Sequence, residues 1–71
     1  MSGVKDILIP LNRGTPRQPY VDINAKLAEA IEVMINSGVN RIVVVRRGYP
    51  VGMIRLHDAV KKLGIQVTSF R

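Results

Sequence analysis

The stretch VDINAKLAEAIEVMINSGVNRIVVV, residues 21–45, decides the fold. From Ala25 to Ser37 the apolar Leu27, Ala30, Ile31, Met34 and Ile35 recur at i, i+3, i+4, i+7 and i+8, which is one face of an α-helix. Lys26, Glu29, Glu32 and Asn36 take the opposite face. Asn24 stands where an N-cap side chain accepts a bond from a free N–H of the first turn. Gly38 stands where a glycine closes a helix by taking the left-handed conformation. Ile42-Val43-Val44-Val45 is an unbroken β-branched run, so both faces of this strand call for burial. A helix layer covers one face, and the other needs a partner.

Downstream, Arg46-Arg47-Gly48-Tyr49-Pro50 supplies hairpin turn residues, and Val51 to Leu56 reads as the returning antiparallel strand. Asp58 to Leu63 is a short helix with an acid in its first turn, Lys61 and Lys62 in its last, and Gly64 as stop signal. The tail IQVTSFR alternates and can add a strand. Upstream, Tyr20 to Ile23 is a short strand, and LNRGTPRQP, residues 11–19, is an electropositive loop. Val4, Ile7 and Leu8 make a turn of helix that Pro10 closes. The order is β-α-β-β-α, an α/β (α+β) unit with a small mixed sheet, helices on one face, and a second chain expected on the other. The chain divides into an N-terminal arm and linker (1–19), the body (20–65) and a C-terminal tail (66–71).

Seventy-one residues make one small domain, which buries only about 60% of the surface its unfolded chain exposes. Without cysteine it has neither disulfides nor a thiolate metal site, and the lone His57 assembles no metal cluster. Self-association is the natural way to bury more apolar surface. No apolar run is long enough to span a bilayer, and MSGVKDILIP lacks the features of a secretory signal, so a cytoplasmic setting is expected. Eleven Lys and Arg against five Asp and Glu leave a net charge of +6, which attracts phosphates, nucleotides or nucleic acid.

The element order and the residues VDINAKLAEAIEVMINSGVNRIVVV and YPVGMIRLHDAVKKLGI together closely resemble the cystathionine-β-synthase (CBS) motif, over roughly Val4 to Ile65. Ala30 and Met34, Gly38-Val39, Gly52 and Asp58 fall in the family's order at family-like distances. In that family two motifs pack through their sheets and hold adenosine compounds in clefts between them. This chain carries one motif, so the resemblance implies a homodimer or higher homo-oligomer burying Ile42 to Val45 and Val51 to Leu56 across an isologous interface. It also implies an AMP, ATP or S-adenosylmethionine ligand and a regulatory role, with a regulated protein as further partner.

The family's ligand pattern, Gly-apolar-apolar-Thr/Ser-x-x-Asp, reads here Gly52-Met53-Ile54-Arg55-Leu56-His57-Asp58. By resemblance Asp58 accepts bonds from both ribose hydroxyls, which suits an acceptor-only carboxylate. The alternative is a helix-terminal acid favoured by the macrodipole. Arg55 replaces the phosphate-contacting hydroxyl; it can bind phosphate bidentately, fill the cleft by its bulk, or stand as an ordinary exposed strand arginine. Tyr20-Val21 and Arg41-Ile42 correspond to base-pocket segments, and Met53 and Ile54 to its apolar walls.

His57 beside Asp58 does not by adjacency make a general acid–base pair, and no nucleophile with a base, Walker or Rossmann loop, or paired carboxylates are present. An enzyme is not expected. The competing reading is a basic dimer that binds nucleic acid through Arg13, Arg17, Arg41, Arg46, Arg47, Lys61 and Lys62, although interleaved exposed aromatics are lacking. Arg46-Arg47 also serves simply as a charged hairpin edge. A third reading is a ligand-free oligomerisation or docking module.

Overall fold

The structure, a computed structural model, describes residues 3–68. Three strands, β1 (Tyr20–Asp22), β2 (Arg41–Arg46) and β3 (Tyr49–Arg55), form one sheet in that order. β1 runs parallel to β2 and β3 antiparallel to it. Helices α1 (Leu27–Ser37) and α2 (Leu56–Thr68) complete the β-α-β-β-α order, after a 3-10 turn at Val4–Ile7. This is the mixed α+β unit expected from the periodicities.

α1 buries Leu27, Ala30 and Met34. Ile35, expected on the same face, is 63% exposed, and Val33 packs against the core along with Ile31. The helix starts two residues later than expected, and Asn24 does not cap it. Asp22 accepts the Asn24 N–H through Oδ2 at 2.8 Å and the Ala25 N–H through its carbonyl oxygen at 2.9 Å. Ala25 is buried and its carbonyl accepts the Val4 N–H, so these residues belong to a turn tied to the arm. The C-terminus follows expectation: Gly38 sits at φ +69°, and Val39 N–H donates to the Met34 carbonyl.

The hairpin turn is tighter than the five-residue stretch Arg46 to Pro50 that the sequence suggests. Arg47 and Gly48, both at positive φ, make a two-residue turn, and Tyr49 and Pro50 already belong to β3. α2 begins at Leu56, before Asp58, and passes through Gly64 to Thr68. Gly64 is therefore no stop signal; one glycine costs a helix only about 1 kcal/mol relative to alanine. Residues 65–68 of the tail are helical, so the strand expected there does not form over them, and residues 69–71 lie outside the described residues.

Alternation sorts the sheet into two faces. Val21, Ile42, Val44 and Ile54 join the core with α1, Ala59 of α2 and Val4 of the 3-10 turn. Val43 and Met53 point the other way and are also buried. The arm buries them. Ile9 pairs with Met53 along the free edge of β3 through two N–H···O bonds of 2.9 Å, and the chain must then cross from that edge to β1 at the opposite side of the sheet. On the way Thr15, itself buried, places its hydroxyl 3.2 Å from the Met53 sulfur. The second face of the β-branched strand is thus covered within the chain, and its burial does not require a second copy. Nor is the arm a separate appendage, since Val4 is fully buried.

Candidate functional site

β2 and β3 end together beside the start of α2. Arg41 and Arg55 are register partners, so their side chains leave the same face, the one opposite the helices. Like charges directly opposite each other repel. Asp58, in the first turn of α2, relieves this: Arg55 donates its Nε–H to Asp58 Oδ2 at 2.8 Å. The Leu56 N–H donates to the Asn40 carbonyl at 2.8 Å and fixes the α2 start against the entry to β2. The group carries two guanidinium charges and one carboxylate.

Arg41 borders a cleft of about 700 Å³ that also includes Gly14 and Pro16 of the crossing loop, Ile35 and Val39 from the end of α1, and Leu56. That volume falls within the usual range for small-molecule sites, about 300–1,000 Å³. Gly14 and Pro16 are not among the candidate site residues that the sequence offers. Their Pro and Gly content marks a loop but does not show which surface it crosses.

The candidate residues separate into three groups. Arg41, Arg55 and Asp58 come together at one end of the sheet. Tyr20 is exposed on β1 and lines a smaller concavity of about 210 Å³ with Arg17, Gln18, Val43 and Pro50. Val21, Ile42 and Ile54 face the helix-side core, and Met53 lies under Thr15 and Ile9. Met53 and Ile54, expected as apolar walls, are buried in the interior of this chain, and the apolar lining of the open cleft comes from Ile35, Val39 and Leu56.

Among the described residues no cluster of three His, Asp or Glu side chains is placed to hold a metal ion, and no helix is long and apolar enough to cross a membrane. The family model described as CBS domain matches residues 4–65, including the arm that crosses the sheet. Neither curated proteins nor solved structures give a match.

Proposed function

The chain belongs to the CBS-domain family, whose members are generally regulatory and ligand-binding, and on that premise we propose that it senses an adenosine nucleotide of the AMP, ATP or S-adenosylmethionine class at the Arg41 end of the sheet. The observation that carries this reading is that Arg41, which lines a cleft of about 700 Å³, is the register partner of Arg55, which with its partner Asp58 stands just outside that lining, so that one carboxylate is set against two guanidinium groups. Arg55 uses Nε on Asp58, which leaves its terminal N–H groups for a phosphate. Asp58 retains its second oxygen for a ribose hydroxyl. Arg55 in this role takes the place of the family's phosphate-contacting hydroxyl.

A second copy of the chain completes the cleft in this proposal, as paired motifs do in the family. The buried strand does not supply the argument for pairing, because the arm covers it; Leu11, Tyr20 and Val51, all exposed, remain for such a contact. A cytoplasmic setting accords with a nucleotide ligand.

Isothermal titration of AMP, ATP and S-adenosylmethionine into the protein and into Asp58→Ala, with oligomeric state followed by analytical ultracentrifugation, tests the reading. Saturable binding by the native chain that is lost in Asp58→Ala supports it. A folded protein giving no heat with any of the three overturns it in favour of a ligand-free docking module, because the Arg55–Asp58 pair would then simply close the ribose position.

A further inference from the structure

At the other end of β2, five residues and roughly 16 Å from Arg41, a separate polar concavity of about 310 Å³ is lined by Lys5, Asp22, Ile23, Asn24, Arg46 and Arg47. Three basic residues border it from three parts of the chain: Lys5 from the 3-10 turn, Arg46 from the end of β2 and Arg47 from the hairpin turn. Asp22 is the one acid in the lining, and its Oδ2 accepts the Asn24 N–H. Among the described residues, no carboxylate lies within ion-pair distance of Lys5, Arg46 or Arg47. Folding has brought like charges together here without pairing them.

Arg47 adds a second, independent observation. It holds φ +52°, a left-handed conformation that disfavours a residue with a Cβ, in the first position of a turn for which Asn or Asp before Gly is the favourable choice. The chain places a long cation where turn chemistry prefers a short polar residue. A guanidinium that contributes its charge to the concavity accounts for that placement.

We infer that the Lys5–Arg46–Arg47 concavity is a second anion site, separate from the Arg41 cleft, and that it takes a phosphate-bearing group. Guanidinium and ammonium donors around a small polar hollow match the tetrahedral oxygens of phosphate in charge and hydrogen bonding. The phosphate can come from a free polyphosphate or from a nucleic-acid backbone, which share this chemistry.

The test uses inorganic triphosphate and, separately, a labelled twelve-nucleotide oligo(dT), each titrated into three proteins: native, Arg46→Gln/Arg47→Asn, and Lys61→Gln/Lys62→Gln. The two double variants lose the same charge, one at the hairpin and one on α2. Arg47→Asn also restores favourable turn chemistry, and circular dichroism verifies the fold. The expected result is a loss of about tenfold or more in affinity for at least one probe in the hairpin variant, from two missing charge-assisted bonds, against less than about twofold in the α2 variant. Loss with triphosphate identifies a free polyphosphate as a sufficient ligand; loss confined to oligo(dT) identifies the nucleic-acid backbone. Equal losses in the two variants, or no binding of either probe by the native protein, overturn the proposal, whatever the adenosine titration gives at the other end of the sheet.

Discussion

Arg55 donates its Nε–H to Asp58 Oδ2 at 2.8 Å, a bond that joins the last residue of β3 to the first turn of α2. The Arg55 side chain is 55% exposed and that of Asp58 25%, so water screens the pair and it contributes at most about 1 kcal/mol. Arg55→Ala should therefore leave unfolding by urea within about 1 kcal/mol of the native value. In the same variant the preference for AMP over adenosine should fall by about tenfold, since one charged phosphate donor is lost. Calorimetry with both ligands measures that ratio, and an unchanged ratio would remove Arg55 from phosphate recognition.

Gly52 should tolerate no side chain. A Cβ there would stand 2.7 Å from the Ile9 carbonyl oxygen and 2.8 Å from Leu8 Cδ1. The oxygen is backbone and accepts the Met53 N–H at 2.9 Å, so it cannot move aside freely. Gly52→Ala should cost about 2–3 kcal/mol through overpacking, read as a lower urea midpoint. A neutral result would mean that the arm does not lie against β3.

Gly38→Ala meets no steric obstacle, because nothing lies within 4 Å of the added carbon. Its penalty is conformational: φ +69° is left-handed, and alanine should lose about 1 kcal/mol there. Thermal melting should show the decrease with an unchanged far-ultraviolet circular dichroism spectrum.

Val4→Ala tests whether the arm belongs to the body. Val4 is fully buried within the core cluster, and removal of two methyl groups should cost about 2 kcal/mol. A surface arm would give a change of less than about 0.5 kcal/mol.

Local chemistry made most of the elements legible in the sequence. The spacing of Leu27, Ala30 and Met34 and the glycine at 38 announced α1, and the β-branched run announced β2. Gly52 and Asp58 were located by family pattern. The errors occur where a distant contact prevails over a local preference. Asn24 is a good cap residue, yet Asp22 and Val4 hold this corner as a turn, and the helix begins beyond it. Ile35 satisfies the helical period, but it faces the open cleft near the end of α1. The apolar character of β2 correctly indicated two buried faces. It did not show that the second cover would be residues 9–15 of the same chain, because a Pro-rich loop has no period that names the surface it crosses.

The two borders of the sheet differ in kind. β1 is only three residues long, and the free side of β3 is engaged at Met53 by Ile9. Unpaired strand borders are where sheets from different molecules zip together. One border here is too short to template much pairing and the other is interrupted by the chain itself. Growth by strand addition, the usual hazard of a small Val- and Ile-rich sheet, is therefore hindered along both borders.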